Sequence, residues 1–426
     1  MAISITSKLA SCFTIKENDI RPRLCEPLFL FVFALAVRLS LFPYWQNLGL
    51  SGDEIFYWDW ARRVAAINLL KDFTHPPLWT YVLSFSAFIS KNCVYGRILT
   101  VIISSFSVPV IYLLGKLVFN RKVGIIAGVT YSIYPNVVGF SHYLWSETLL
   151  ALLILLSTYF LFKGLHDENK YIFLCLSFIV TSIGLLVKEF AIIHFGSTIL
   201  TLIAIKGINR KWIIIWALVI FLIPVLIYST LVSISARRPV ILADSFIYNA
   251  NEVNDGKEVW KKSLGENIHM FRNRLFMFRK MPARFIRQVH NLWTPNSFPI
   301  FRLLRAGEKY NNIPCASLIV YIVAGMYILV TALGLIGMCC ATQKAFQVFS
   351  IANLILLSST GLLFLLCSRF RIPFMSIFII HSSVVLSNPK ELLIKLTWRK
   401  VLFLVIVFAI FIEIIISKWT TLGFWG

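Results

Sequence analysis

Carboxylates are scarce in this chain, so the positions of the few that occur are informative. The 426 residues include 19 Asp and Glu against 41 Lys and Arg. Asp53 and Glu54 are adjacent, in the segment Gly-Asp-Glu-Ile-Phe-Tyr-Trp. Neighbouring side chains on a helix point about 100° apart, so one can face a cavity as a base while the other supports it. Alternatively, Asp53 caps a helix and Glu54 lies in its first turn.

A third acid, Glu147, lies in Ser-His-Tyr-Leu-Trp-Ser-Glu-Thr, where one apolar run ends and the next begins. An acid at the mouth of a helix bundle is costly unless it is paired or faces a polar cavity, which makes it a functional candidate. Ser146 also suits a helix N-cap, and both interpretations can hold together. Lys188 and Glu189 interrupt apolar sequence in a similar way, although such a pair also fits side chains that snorkel to the membrane surface.

Cations occur at matching places. Arg369 and Arg371 lie between two apolar runs in Ser-Arg-Phe-Arg-Ile-Pro, and Arg97 begins another run. If the first link is extended, as Pro373 favours, its two arginines point the same way and suit a phosphate. Acids and cations at one membrane boundary suit the transfer of a group from an anionic lipid carrier to a hydroxyl. The cations would hold the phosphate leaving group, and a carboxylate would take the proton.

Composition indicates what kind of protein positions these residues. Hydrophobic residues make up 58% and charged residues 14%, against roughly 45 to 50% and about 25% in a soluble domain. The chain is therefore a polytopic membrane protein. Its net charge of +22 is explained by cations that set the membrane topology and contact lipid headgroups or an anionic substrate, and not by nucleic-acid binding. The eight cysteines show no metal-ligand spacing, which favours small buried side chains over a zinc site or disulfides.

Apolar runs near span length predict an all-α polytopic bundle of about eleven transmembrane helices. The runs are 27–43, 97–119, 123–140, 143–162, 171–187, 190–205, 212–231, 315–339, 345–367, 373–386 and 401–416. Segment 78–90 is shorter and carries three serines. Whether it crosses the membrane decides which side every later segment faces.

Lys and Arg are enriched in short cytoplasmic loops. Counting them indicates that segment 78–90 does not cross the membrane but lies in the interface as a juxtamembrane helix. The N-terminus is then cytoplasmic. This predicts a tail (1–26), a transmembrane module (27–231) whose first outer loop (44–96) is catalytic, and a C-terminal set of spans (315–426). Between the last two lies a basic outer loop (232–314), in which residues 264–278 have the spacing of an amphipathic helix facing anionic lipid.

In order and spacing, five motifs together resemble the glycosyltransferase C (GT-C) superfamily. They are Gly-Asp-Glu (52–54), His-Pro-Pro-Leu (75–78), the span that opens at Arg97, Ser-Glu (146–147) and Ser-Arg-Phe-Arg-Ile-Pro (368–373). The likeness covers roughly residues 27–210 and the last motif. Within the superfamily, the chain most resembles the branch of protein mannosyltransferases, aminoarabinose transferases and lipopolysaccharide-core galacturonosyltransferases. It implies an integral membrane glycosyltransferase that uses a polyprenyl-phosphate sugar. An extracytoplasmic active site and inversion at the anomeric carbon are also implied.

The resemblance also implies roles for individual residues. Asp53 would be the general base or orient the acceptor, and Glu54 would be its motif partner. Glu147 would be a third catalytic carboxylate, acting as a base, as a ligand of a sugar hydroxyl or as a ligand of a cation. Positions that would bind the donor phosphate or support the motifs are His75, Arg97, Lys188, Arg369 and Arg371. No cofactor is assigned, and the role of a divalent cation is left open. The implied partners are the lipid-linked donor, a lipid, glycan or protein acceptor, and membrane lipids. No Asn-X-Ser/Thr sequon occurs, which favours a bacterial inner membrane with a periplasmic site.

Three other functions compete with this one. A lipid-linked sugar flippase or transporter would line an alternating-access path with the same charges, but the charges gather at one face and no inverted repeat occurs. A polysaccharide polymerase or ligase would act on the same face with a diphosphate-linked donor. An envelope scaffold would not need convergent acids and arginines. The sequence identifies neither the sugar nor the acceptor.

Overall fold

The computed structural model describes residues 25–66, 75–167, 170–205, 210–236, 281–308, 316–362, 366–390 and 397–419. Within these ranges the chain forms helices and no β-strand, so the predicted all-α fold class is confirmed. The amphipathic helix predicted over 264–278 and nearly all of the N-terminal tail lie outside the described residues.

The helices are numbered in chain order. The first part of the chain forms α1 (Cys25–Leu41), α2 (Pro43–Gln46), α3 (Asp53–Ala65), α4 (Leu78–Ile89), α5 (Cys93–Val118), α6 (Arg121–Ile133), α7 (Pro135–Phe140), α8 (Glu147–His166), α9 (Lys170–Leu185), α10 (Ala191–Ala204) and α11 (Arg210–Ala236). The second part forms α12 (Met281–Trp293), α13 (Phe298–Glu308), α14 (Ala316–Cys340), α15 (Lys344–Ser359), α16 (Met375–Ser387) and α17 (Trp398–Trp419). Two 3₁₀ segments, Thr360–Leu362 and Ser368–Phe374, lie between α15 and α16.

Among the described residues, seven helical segments are long and apolar enough to cross a membrane by length and composition. They are Cys93–Val118, Glu147–His166, Trp212–Ile234, Leu318–Cys340, Lys344–Leu362, Ser368–Ser387 and Trp398–Ser417. The other four predicted spans correspond to α1, α6, α9 and α10, whose lengths are 17, 13, 16 and 14 residues. All eleven predicted runs are therefore helical over most of their described length.

One predicted run is interrupted, and the next begins its helix later than predicted. Run 123–140 divides into α6 and α7 because Pro135 has no N–H for the carbonyl four residues earlier, and Tyr134 is extended. Residues 141–146 form a non-helical turn, so α8 begins at Glu147 and not at the predicted Tyr143. The bundle thus has an irregular rim where the sequence predicted continuous spans.

The two ends of the bundle are distinguished by their contacts. At one end, Arg121 Nε donates to Glu26 Oε1 at 2.8 Å and Lys122 Nζ donates to the Ser387 carbonyl at 2.7 Å. At the other, which we call the site end, the Leu78 N–H donates to the Leu186 carbonyl at 2.9 Å. Segments predicted to be cytoplasmic meet at the first end, and segments predicted to be extracytoplasmic meet at the site end.

Helices α3 and α4 pack against each other at the site end. The start of α4 is tied there because Trp79 Nε1 donates to the Leu144 carbonyl at 2.9 Å. The start of α5 is tied to the same end through Arg97, which donates to the Leu48 carbonyl at 2.6 Å. Both ends of α4 therefore lie at one end of the bundle, as a juxtamembrane helix requires. Its exposed side chains are apolar, as suits contact with lipid: Phe85, Phe88 and Ile89.

Glycines allow close helix contacts within the bundle. A Cβ on Gly124 of α6 would lie 2.6 Å from the Tyr112 carbonyl of α5, and a Cβ on Gly337 of α14 would overlap the His381 backbone of α16. Small residues at helix crossings let backbones approach and increase van der Waals contact, which stabilises bundles in lipid.

Candidate active site

The first turn of α3 places the two adjacent carboxylates at the site end. Gly52, directly before the helix, has φ of +55°, a left-handed conformation that favours glycine. The Asp53 side chain is 33% exposed, whereas Glu54 is fully buried. Only Asp53 is therefore open to a substrate.

Four side chains form an acid–cation cluster, which we define as Asp53, Glu147, Lys188 and Arg369. Arg369 Nη1 lies 2.7 Å from Asp53 Oδ2, and Arg369 Nε lies 3.5 Å from Glu147 Oε1. Lys188 Nζ donates to the same Glu147 oxygen at 2.6 Å. Arg369 thus bridges two carboxylates, and Lys188 completes a network without net charge. Four of the eight residues predicted from the sequence meet here.

Each member of the cluster lies where a helix begins or is interrupted. Glu147 is the first residue of α8, Lys188 lies in the short link between α9 and α10, and Arg369 lies in the 3₁₀ segment before α16. At such places the side chains can turn towards a common space instead of following a helix face. The N-terminus of α8 also favours the negative charge of Glu147.

The cluster sets the ionisation of the groups around it. Burial opposes ionisation of Asp53, but the positive charges of Arg369 and Lys188 outweigh burial and lower the pKa of Asp53 to about 2. Burial also lowers the pKa of His75 to about 4, against the attraction of Asp53. At neutral pH Asp53 is therefore an anion and His75 is neutral. His75 brings no charge for a phosphate, and its ring packs on Phe56 with centres 4.4 Å apart.

Glu54 is the centre of a second, buried network. Its carboxylate accepts hydrogen bonds from the backbone N–H groups of Leu144 at 3.0 Å and Ser51 at 3.3 Å. Arg302 Nη2 lies 2.7 Å from Glu54 Oε2, and Arg97 Nη2 lies 3.9 Å from Oε1. Burial raises the pKa of Glu54, against the opposing charges of the two arginines. This network joins α3, α5, α13 and the turn before α8, and it fixes the first turn of α3.

Arg97 and Arg371 bind backbone carbonyl groups and are buried. Arg97 donates to the carbonyl groups of Trp45 and Leu48. The Arg371 guanidinium lies 3.9 Å from the centre of the Tyr327 ring. It donates to three carbonyl groups of the link between α12 and α13: Leu292, Thr294 and Asn296. The structure does not bring either arginine to the cluster.

The prediction that Arg369 and Arg371 point together is wrong. It assumed an extended link, but residues Ser368–Phe374 form a 3₁₀ helix. With three residues per turn, side chains two positions apart point about 120° apart. Arg369 consequently faces the two acids, and Arg371 faces away from them into the bundle.

Aromatic rings surround the cluster and exclude water from part of it. The Phe370 ring stacks on Phe190 with centres 4.5 Å apart, and Lys188 Nζ lies 5.0 Å from the Phe370 ring centre. The Trp145 ring centre lies 5.9 Å from the Arg369 guanidinium carbon. Cations over aromatic faces are attracted by the ring quadrupole, more strongly where water is excluded.

Sequence reasoning missed Arg302 and Trp145. Trp145 stands two residues before Glu147, so its place in the same short segment was an available signal. Arg302 lies in α13, within the outer loop predicted to face lipid through its basic residues. Its partner Glu54 is far away in sequence, so no local pattern distinguished Arg302 from the other cations of that loop.

In the part of the chain that the structure describes, no group of three or more His, Cys, Asp or Glu side chains is arranged to hold a metal ion. The two carboxylates of the cluster share Arg369 instead. In this arrangement the residues do not fit a divalent cation.

Comparisons with known proteins point to one class of membrane protein. Residues 74–230 match the family model described as dolichyl-phosphate-mannose-protein mannosyltransferase, which is less than half of the chain. The matched range includes Glu147 and Lys188 but neither Asp53 nor Arg369. A search among curated proteins found no match.

Several solved structures have a similar fold. ArnT from Cupriavidus metallidurans, bound to undecaprenyl phosphate, has a TM-score of 0.53 and 17% identity over 90% of this chain and 63% of that chain. The oligosaccharyltransferase AglB from Archaeoglobus fulgidus, in complex with an inhibitory peptide and a dolichol-phosphate, has a TM-score of 0.54 and 14% identity over 94% of this chain and 56% of that chain. The oligosaccharyltransferase of Archaeoglobus fulgidus tethered to an acceptor peptide has a TM-score of 0.54 and 15% identity, over 95% and 56%.

This chain spans less than two thirds of the length of each of these proteins. At such low identity the likeness is one of fold. Together with the long apolar helices, it makes this chain an integral membrane protein with several spans.

Proposed function

The chain has the GT-C fold, and from this premise we propose that it is a membrane glycosyltransferase. It takes a sugar, a hexose or a pentose, from a polyprenyl-phosphate donor and transfers it to a hydroxyl of a lipid, glycan or protein acceptor. The observation that carries the proposal is the acid–cation cluster, in which a partly exposed carboxylate lies 2.7 Å from a cation suited to phosphate. Two proteins of similar fold are bound to a polyprenyl phosphate or a dolichol-phosphate, which supports a donor of this class.

In the resting cluster, each cation is paired with a carboxylate. The donor phosphate is an anion that forms strong charge-assisted hydrogen bonds with a guanidinium group. When the phosphate binds Arg369, it competes with the Asp53 carboxylate for the same N–H groups. Loss of this positive partner raises the pKa of Asp53, so donor binding converts Asp53 from a weak base into a stronger one.

The transfer step follows from these positions. Asp53 accepts the proton of the acceptor hydroxyl while the hydroxyl oxygen bonds to the anomeric carbon. The bond between that carbon and the phosphate oxygen breaks, and polyprenyl phosphate leaves with the electron pair. Arg369 and Lys188 stabilise the charge that develops on the phosphate. Attack opposite to the leaving group inverts the anomeric carbon.

The remaining residues act through position. Glu147 orients Lys188 and Arg369 by its contacts to both. Glu54, held by Arg97 and Arg302, directs Asp53. Arg371 ties the 3₁₀ segment to the link between α12 and α13, and this segment also carries Arg369. His75 is a neutral ring that packs against α3.

We place the site on the extracytoplasmic face, on the periplasmic side of a bacterial inner membrane. This placement is supported by the count of Lys and Arg, which assigns the segments that meet at the site end to the outside. Arg121 and Lys122 lie at the opposite end. Acceptors of the cell envelope, including lipopolysaccharide, are within reach of such a site.

The test is a transfer assay with the full chain in lipid nanodiscs and an undecaprenyl-phosphate-linked labelled sugar. The acceptors are an envelope lipid extract, glycans and peptides. Asp53→Asn should lower turnover at least about 100-fold, as expected for loss of a general base. The matched control is Asp59→Asn on the same helix, because Asp59 pairs only with exposed Arg62 and Arg63 in the described structure. Its turnover should stay within twofold of wild type.

Two results would contradict the proposal. One is an Asp53→Asn variant with wild-type turnover. The other is a protein that moves the labelled lipid across the bilayer but releases no undecaprenyl phosphate in any preparation. That result would favour a flippase.

A further inference from the structure

Beside the cluster lies a group of buried polar atoms that have no hydrogen-bond partner in the described part of the chain. They are the Trp145 indole N–H, both ends of the Asn296 amide and the Ser297 hydroxyl. These residues are 2%, 2% and 5% exposed. Buried polar groups in folded proteins are almost always hydrogen-bonded, and unpaired ones are costly. Four such atoms on three residues of adjoining segments therefore indicate a ligand that satisfies them.

The residues that carry these atoms are linked to one another and to Arg369 through the ring of Trp145. The Trp145 ring centre lies 5.1 Å from that of Phe298, the residue that directly follows the Asn-Ser pair. The same indole ring lies 5.9 Å from the Arg369 guanidinium carbon. In addition, Arg371 donates to the Asn296 carbonyl at 3.4 Å. The 3₁₀ segment that carries Arg369 therefore also holds the polar group in place.

The unpaired atoms require a ligand that both donates and accepts hydrogen bonds. The Asn296 amide offers two N–H donors and a carbonyl acceptor, the Ser297 hydroxyl does both, and the indole of Trp145 only donates. Sugar hydroxyls donate and accept, whereas a phosphate dianion only accepts and a prenyl chain does neither. The neighbouring Phe298 ring is 39% exposed and adds an apolar surface, against which the C–H face of a sugar ring can pack.

We propose that Trp145, Asn296 and Ser297 form the subsite for the sugar of the polyprenyl-phosphate donor. The proposal rests on the proposed function, because it takes Arg369 as the group that holds the donor phosphate. In such a donor the sugar is bonded directly to the phosphate, so its hydroxyls lie beside Arg369, on the side where the Trp145 ring lies 5.9 Å from the guanidinium carbon. These atoms then distinguish sugars by the positions of their hydroxyls, since a site built to pair with a hydroxyl rejects a sugar that lacks it.

The test compares lipids with and without a sugar. Dissociation constants of the full chain in nanodiscs are measured for undecaprenyl phosphate and for its hexose, aminopentose and uronic acid derivatives. Wild type should bind at least one derivative about tenfold more tightly than undecaprenyl phosphate. Asn296→Ala and Ser297→Ala should each weaken that derivative about three- to tenfold, as loss of one or two neutral hydrogen bonds predicts, and leave undecaprenyl phosphate unchanged. The control Asn388→Ala, an exposed position at the opposite end of the bundle, should change neither.

Each other outcome overturns the subsite. If both variants bind the derivatives as wild type does, water satisfies these atoms and they do not contact the sugar. If the variants weaken both kinds of lipid equally, the residues support the fold or the phosphate and do not bind the sugar. If wild type shows no preference for any derivative, there is no sugar subsite here. Failure of wild type to bind even undecaprenyl phosphate overturns the proposed function itself, and the subsite with it.

Discussion

Replacing Glu54 by Gln should destabilise the protein, whereas replacing its neighbour Asp53 by Asn should remove transfer with little loss of stability. The two carboxylates are adjacent in sequence, but their surroundings differ. Glu54 is fully buried and lies between Arg97 and Arg302. Asp53 is partly exposed and contacts the side chain of Arg369.

The expected magnitudes follow from burial. Removing one partner of a buried ion pair costs about 3 to 5 kcal/mol, because the other partner keeps its desolvation cost. Glu54→Gln retains an amide oxygen for one backbone N–H, so about 3 kcal/mol is expected. The Asp53–Arg369 pair is partly exposed, and solvent screening lowers its contribution towards the value of about 1 kcal/mol that exposed ion pairs make. Arg369 also keeps its contact to Glu147 at 3.5 Å, so Asp53→Asn should cost about 1 kcal/mol.

Apparent thermal midpoints in one detergent and at one heating rate measure this difference, since membrane proteins often unfold irreversibly. An unfolding entropy of about 2 cal/mol/K per residue over the whole chain converts 3 kcal/mol into a shift of about 3 °C, and 1 kcal/mol into about 1 °C. Helices that persist in detergent lower this entropy and enlarge both shifts, but their ratio stays near three.

The division of roles between the two acids would be refuted by an Asp53→Asn shift as large as that of Glu54→Gln. A double-mutant cycle adds a second criterion. Because Glu54 and Arg302 share one buried contact, the loss in the Glu54→Gln, Arg302→Gln double variant should be smaller than the sum of the single losses. Additive losses would mean that the contact does not stabilise the fold.

Two further predictions concern the pH profile and the helix packing. The pKa of Asp53 is about 2 without donor, so protonation of Asp53 should lower kcat/KM for the donor only below about pH 4. The value of kcat reports the donor complex and should fall at a higher pH. The reverse order would contradict competition between phosphate and Asp53 for Arg369. Gly337→Ala should cost about 1 to 3 kcal/mol of stability through overpacking and lower the thermal midpoint, because the added Cβ overlaps the His381 backbone. Gly325→Ala is the control and should not lower the midpoint, because the space around its Cβ is open.

Much of the fold could be predicted from the sequence because hydrophobic runs determine where helices form in a membrane. The breaks inside these runs depend on local backbone chemistry that run length ignores. Pro135 ends α6 because it cannot donate a hydrogen bond. The turn before Glu147 is stabilised by a tertiary contact, the Leu144 N–H to the Glu54 carboxylate. Only the first of these was visible in the sequence.

The same distinction applies to the site. Asp53, Glu147, Lys188 and Arg369 were candidates because charges are costly at the rim of an apolar bundle, and they meet as neighbours. Arg97 and Arg371 looked equivalent to Arg369, because a charge in an apolar context has the same signature whether it binds a substrate or backbone carbonyls. Burial and contacts separate the three arginines, and these depend on the packing of distant segments.

The charge balance of the cluster suggests how the proposed reaction favours its transition state over the bound donor. Before transfer, two carboxylates and two cations cancel, and the donor phosphodiester brings one negative charge. As the bond to the sugar breaks, the phosphate gains a second negative charge and Asp53 becomes neutral by accepting the acceptor proton. The protein side of the cluster then carries a net positive charge while the phosphate charge is largest. The attraction of Arg369 and Lys188 therefore grows along the reaction, and only interactions that strengthen towards the transition state accelerate it.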